Sequence, residues 1–365
     1  MTDAAVPCPW HLPAWQALQA RVAARLPHAL LLSGEPGTGK RLFADAFAAW
    51  LLCPAPVGGM ACGRCKSCLL VAAGTHPDRL LVTPQALRAD GEGDADGEAG
   101  GSRKKKPSAE IRVDDVRALI VFAAQTAQFG GRRVVVIDPA AAMNVNAANA
   151  LLKTLEEPGP GVVLLLVCEQ PALLPATIRS RCQPLPLPAP SPVEARDWLA
   201  ARAGDIRRAQ DLLAAAGAPT RALTLLDDEE WVGQRRKLAT LLVDVLAGEQ
   251  PAARFAELAA KATRVADAGT AATEPLLLDW LPSLLSDAVR LAGGVPLERL
   301  RNADLVPELR RLVAARTTQP LFLLGDDVAR LRQQLDAGSG LNRQLLWEEV
   351  MLRWSPRPRG GTRQA

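Results

Sequence analysis

The chain contains no tyrosine, and aromatic residues of every kind fill only 4% of its 365 positions. A chain so short of aromatics and so rich in Ala and Leu favours helices arranged around one parallel sheet. It has no apolar run of membrane-spanning length. No basic-then-apolar leader stands at its N-terminus. A cytoplasmic protein with no membrane role is therefore expected. Strong charge is missing too. A net charge of +4 is small for this length, so bulk charge gives no sign of a nucleic-acid binder, although a local basic patch is compatible with it. Seven cysteines is an odd count, and four of them cluster, which points to metal rather than disulfides. The length is enough for two or three domains.

What is present is organised around Ala29–Ala46, ALLLSGEPGTGKRLFADA. Ala29–Ser33 is a short apolar run that reads as a strand buried on both faces. Gly34, Gly37 and Gly39 permit a loop whose backbone N–H groups point at phosphate oxygens, beside the positive end of the next helix. Lys40 stands where a phosphate-binding lysine belongs. The next position should carry Ser or Thr to hold Mg²⁺, and it carries Arg41. A second defect follows downstream. Arg133–Asp138 (RVVVID) reads as a buried strand ending in an acid. In a nucleotide hydrolase that Asp helps hold the metal and a following acid polarises water; here the following residue is Pro139, which can do neither.

Between these two segments lie Cys53, Cys62, Cys65 and Cys68. Two x2 spacings let consecutive thiolates turn towards one ion, and an eight-residue loop brings in the fourth. Four sulfurs leave no open position for water, so a structural rather than catalytic zinc is expected. That closure also leaves no vacancy for the nearby His76.

The rest of the chain reads as alternating strands and helices up to about residue 182. Strands are expected at Arg79–Thr83 and Val162–Cys168, and helices from Val113 and over Asn144–Leu155. Residues 88–110 pair a Gly-rich acidic stretch with the basic run Arg103–Lys106, which reads as a mobile, solvated insertion. Pro184–Pro192 reads as a linker, followed by a small helical unit to about residue 227 that includes Arg221 at a helix start. Helical patterning continues to Trp354, and the basic, Pro/Gly-rich stretch 355–365 is expected to be disordered.

The segments PWHLPAW, LPHALLLSGEPGTGK, THPD, NAANALLKTLEEP and TIRSRC, together with the four-cysteine knuckle, resemble the delta-prime family of bacterial DNA polymerase III clamp-loader subunits, within the AAA+ superfamily. The resemblance implies an α/β P-loop AAA+ domain over 1–188, with the zinc module at 53–68. It also implies a helical lid over 189–227 and an all-α collar over 228–354. It implies a ring of five subunits that includes the gamma/tau motor subunits and delta, acting on a sliding clamp and primer-template DNA. The location would be cytoplasmic, associated with the nucleoid and replisome. Arg181 of Ser-Arg-Cys would face the ATP of a neighbouring subunit as a trans arginine finger. Arg41 and Pro139 depart from the motor pattern, so ATP or ADP binding at Gly34, Gly37, Gly39 and Lys40, with Arg221 as a weaker contributor, is expected without hydrolysis. Two other readings stay open: an active motor-type ATPase, and a zinc-containing DNA-binding protein using the knuckle and the basic runs.

Overall fold

A computed structural model of the chain describes residues 6–24, 26–87, 108–129, 131–226, 229–264, 274–336 and 342–355. The expectations of a mobile insertion at 88–110 and a disordered tail at 355–365 rest mainly on residues 88–107 and 356–365, which lie outside those described. The chain forms two compact units, Met1–Glu194 and Ala195–Ala365. Among the described residues no helix is long and apolar enough to cross a membrane.

The first unit is the expected α/β fold. Its strands are Ala29–Ser33 (β1), Arg79–Val82 (β2), Arg133–Ile137 (β3), Val162–Cys168 (β4) and Gln183–Pro186 (β5). They form one parallel sheet in the order β2-β3-β4-β1-β5. Helices Leu12–Ala24 (α1), Lys40–Leu52 (α2), Lys66–Ala72 (α3), Val113–Ala124 (α4), Val145–Glu156 (α5) and Ala176–Arg179 (α6) connect and cover it. Successive strand side chains point to opposite faces. Leu31, Val135, Ile137, Leu164 and Leu166 pack on one face with α4 and α5. Leu30, Leu32, Val134, Val136 and Leu165 pack on the other with α1 and α2. Burial on both faces is why these strands read as unbroken apolar runs rather than as alternation.

The Pro184–Pro192 segment corrects the sequence reading. Its first residues are not linker but the last strand, β5, which pairs with β1 from Leu30 opposite Gln183 to Ser33 opposite Pro186. Pro184 and Pro186 are tolerated because β5 is an edge, with no further strand needing their missing N–H groups. Leu185 and Leu187 are buried. With β4 on one side of β1 and β5 on the other, the strand order reverses at β1. The loop leaving the carboxyl end of β1 therefore opens at a topological switch point, where ligands of α/β sheets bind.

Among its described residues the second unit holds helices and no strand, from Pro192–Ala203 (α7), which begins just before the unit boundary, through Ile206–Ala216 (α8) and Pro219–Leu223 (α9) to Arg343–Trp354 at the C-terminal end. Trp280 and Trp347 are fully buried in it. Trp280 Nε1 donates to Asn302 Oδ1 at 2.8 Å, and Asn302 in turn donates to the buried Asp287. A buried indole N–H needs such a partner.

Candidate functional site

Gly34, Gly37 and Gly39 all have positive φ (153°, 67° and 99°). At Gly34 the reason is a close approach. Leu187 N donates to Ser33 O at 2.7 Å, and a Cβ on Gly34 would come within 2.4 Å of Leu187 O. No other residue fits there. The loop then folds on itself. Glu35 O accepts from Thr38 Oγ1 at 2.9 Å and from Lys40 Nζ at 2.5 Å. Lys40 is buried, and its Nζ also lies 3.9 Å from Glu169 Oε1, just beyond the end of β4.

Of PWHLPAW, Trp10 ties down this loop and His11 packs beside Trp10. Trp10 Nε1 donates to Thr38 O at 2.8 Å. His11 is fully buried, with its ring edge-on to Trp10 and Phe43 at 5.8 Å each, and its Nε2 lies 3.2 Å from Pro188 O. A carbonyl accepts only from a protonated nitrogen, so Nε2 carries the hydrogen and Nδ1, which has no hydrogen-bond partner among the described residues, is the bare acceptor. Burial pushes the imidazole pKa down to about 4; the Pro188 bond opposes this and the nearby Lys40 charge adds to it.

Arg41 does more than fail to be a serine. Its Nε donates to both oxygens of Asp45, at 3.0 and 2.9 Å, and its Nη1 lies 3.2 Å from Asp138 Oδ2. Arg79 closes the group, with Nη2 2.5 Å from Asp45 Oδ1. Burial raises the Asp138 pKa, and Arg41 works against that rise. The acid at the end of β3 is thus held by a guanidinium from the first turn of α2.

The four cysteines come together. Their sulfurs all lie within 4.8 Å of one another, and among the described residues they are the one His/Cys/Asp/Glu group able to hold a metal ion. Cys62 Sγ and Cys68 Sγ are 3.9 Å apart; a zinc tetrahedron with Zn–S bonds of about 2.3 Å needs edges of about 3.8 Å. Backbone N–H groups of Cys62, Cys65 and Cys68 point at the sulfurs of Cys53, Cys62 and Cys65, each at 3.4 Å. N–H bonds from Arg64 and Cys65 pull the Cys62 thiol down to about 6, whereas burial pushes the Cys53 and Cys68 thiols up. Donor set, spacing and preorganised N–H groups fit zinc.

THPD fastens this module to the sheet. His76 Nε2 donates to Ser67 Oγ at 2.8 Å, Ser67 Oγ donates to Leu52 O at 2.7 Å, and His76 Nδ1 accepts from Asp78 N at 3.0 Å. Both ring nitrogens are occupied, so His76 is structural. Asp78 accepts from Gln128 N and Phe129 N at 2.8 Å and lies 3.6 Å from Arg133 Nε, with both side chains buried.

Arg181 lies at the opposite end of the sheet from the phosphate loop, just before β5. It is folded back on its own chain. Nε and Nη2 reach Glu156 Oε1 at 2.9 and 2.5 Å, and Nη1 donates to Thr177 O at 3.0 Å. It lines a cleft of about 620 Å³ together with Arg132, His28 and Gln183. Cys182 beside it is buried, and burial pushes its thiol up to about 11, which makes it no nucleophile. Arg221 is half-buried on α9 in the second unit.

Sequence reasoning passed over Asp45, Arg79 and Glu156. The i,i+4 spacing of Arg41 and Asp45 on one helix was a usable signal for the first. Nothing local links Glu156 to Arg181, 25 positions away.

Residues 11–191 match the family described as DNA polymerase III, delta subunit, and residues 260–356 match its C-terminal family. The DNA polymerase III subunit delta' of Pseudomonas aeruginosa is 36% identical over 97% of this chain and 98% of its own length. That of Escherichia coli is 33% identical over 94% of each. The DNA polymerase III subunit tau/gamma of Haemophilus influenzae is 34% identical over 43% of this chain but only 20% of its own length.

Proposed function

The chain belongs to the delta-prime family of DNA polymerase III subunits, and from that premise we propose that it is a clamp-loader subunit that hydrolyses no ATP itself. The observation that carries this reading is the Arg41–Asp138 pair, at 3.2 Å. A hydrolase needs Asp138 free for a metal and an acid after it for water. Here the carboxylate faces a guanidinium and the next residue is Pro139.

In this reading the chemistry is supplied in trans. Arg181 swings from Glu156 to the ATP of a neighbouring gamma/tau subunit and stabilises charge on the transferring phosphoryl group. The four-cysteine module holds structural zinc, and the phosphate loop binds ATP or ADP without turning it over. The partners are gamma/tau and delta in a five-subunit ring that loads a sliding clamp on primer-template DNA, in the cytoplasm. In the second unit the helical segments serve as lid and collar, with a junction near residue 227.

The deciding experiment is steady-state ATP hydrolysis by the purified chain, with primed DNA and Mg²⁺. The expected result is no turnover above a Lys40→Ala control. Turnover that disappears in Lys40→Ala would make the chain a motor and overturn the reading.

A further inference from the structure

The residues around the phosphate loop do not fit a magnesium ion. In a magnesium-dependent loop, the hydroxyl after the lysine and the acid ending a neighbouring strand hold the ion against the phosphates. Here Arg41 stands in the hydroxyl's place and puts Nη1 3.2 Å from Asp138 Oδ2. The other nearby carboxylate, Asp45, is taken by Arg41 Nε and by Arg79. Burial alone would weaken the proton affinity of Arg41, but Asp45 and Asp138 outweigh it, so the guanidinium holds its charge. A divalent ion beside Asp138 would therefore meet a fixed cation in a half-buried site, where like charges are poorly screened.

The parts that recognise phosphate are intact. Gly37 and Gly39 keep positive φ, and Gly39 caps the start of α2. Lys40 is buried at the loop, within reach of Glu35 O and Glu169. Backbone donors, the helix N-terminus and the lysine together suit a polyphosphate. We propose that this loop takes a nucleoside di- or triphosphate in its metal-free form, with the Arg41 guanidinium standing where magnesium would. This rests on the reading that the loop binds nucleotide without hydrolysis. It reverses the sign of the magnesium effect. In an ordinary loop magnesium tightens nucleotide binding. In this one magnesium withdraws free nucleotide as its own complex and cannot follow it into the site, so it competes.

The test is calorimetric titration of the full chain with ADP and ATP, once with a chelator and once with excess magnesium. The expected result is saturable binding in chelator that weakens several-fold in magnesium. Arg41→Ser should reverse the sign, so that magnesium tightens binding, whereas Arg41→Lys keeps the charge and should keep the wild-type sign. If Arg41→Ser fails to fold, the wild-type and Arg41→Lys titrations still decide. Tighter wild-type binding in magnesium would overturn the metal-free site while leaving the nucleotide-binding loop standing. No binding under either condition would overturn both.

Discussion

Arg181 and Glu156 are joined by two hydrogen bonds to one carboxylate oxygen, Oε1, at 2.9 and 2.5 Å, although 25 residues separate them. The pair is half open to solvent, at 35% and 49% side-chain exposure. A pair this exposed contributes about 0–1 kcal/mol to stability. It therefore holds the arginine without anchoring the fold.

Arg181→Ala should accordingly leave the melting temperature of the chain and the assembly of a reconstituted loader unchanged. Its effect should be on turnover, lowered by about three orders of magnitude at the one ATP site it is proposed to serve. Thermal melts, gel filtration and ATPase rates of the assembled complex check this together. An intact complex with unchanged turnover would remove Arg181 from the chemistry.

The cysteine module should bind one zinc per chain. Its ligands come from the end of α2, the following loop and the start of α3, so metal release uncouples these segments. Chelation, or Cys62→Ser, should free the ion and lower the melting temperature, because binding energy at a structural zinc site is folding energy. A zinc-sensitive dye with a parallel melt measures both.

The Asp78–Arg133 pair should behave in the opposite way to Arg181–Glu156. Both side chains are buried, and Arg133 also donates to Phe122 O, Gln125 and Thr126 O. Asp78→Ala leaves that guanidinium buried without its counter-charge and strips two backbone N–H groups of their acceptor. The expected cost is about 3–5 kcal/mol in denaturant unfolding. A loss below about 1 kcal/mol, the range of a surface pair, would show that the pair is not a buried anchor.

His11 should make the fold acid-sensitive. Its folded pKa, about 4, lies below the usual 6.5. A depressed value means that its contribution is complete above 6.5 and is lost as pH falls through 4, because the unfolded chain takes up the proton first. The loss across that window is on the order of 3 kcal/mol. His11→Phe keeps an aromatic ring against Trp10 and Phe43 but cannot titrate. Its stability should therefore fall less steeply than wild type between pH 6.5 and 4. Equal slopes in denaturant series at several pH values would assign the acid sensitivity elsewhere.

Much of the fold is legible in the sequence. β1 and β4 fall where the apolar runs Ala29–Ser33 and Val162–Cys168 place them, because strands buried on both faces are built almost wholly from apolar residues. The glycines of the phosphate loop and the cysteine spacing were legible for a similar reason. Positive φ and closely spaced thiolates restrict residue type within a few positions of chain. β5 was not legible. Pro184 and Pro186 carry a local loop signal, and only the position of β5 at the sheet edge makes them compatible with a strand.

By itself, then, the sequence determined what depends on neighbours along the chain: the buried strands, the loop, the knuckle, and the loss of a hydroxyl at 41 and of an acid at 139. Only the tertiary structure decided what became of the freed charges. Arg41 meets Asp138 from 97 positions away, and Arg181 meets Glu156 across the end of α5. Such pairs are set by which sheet ends and helix ends the fold brings within a few ångströms. Coulomb attraction depends on that distance in space and takes no account of separation in sequence.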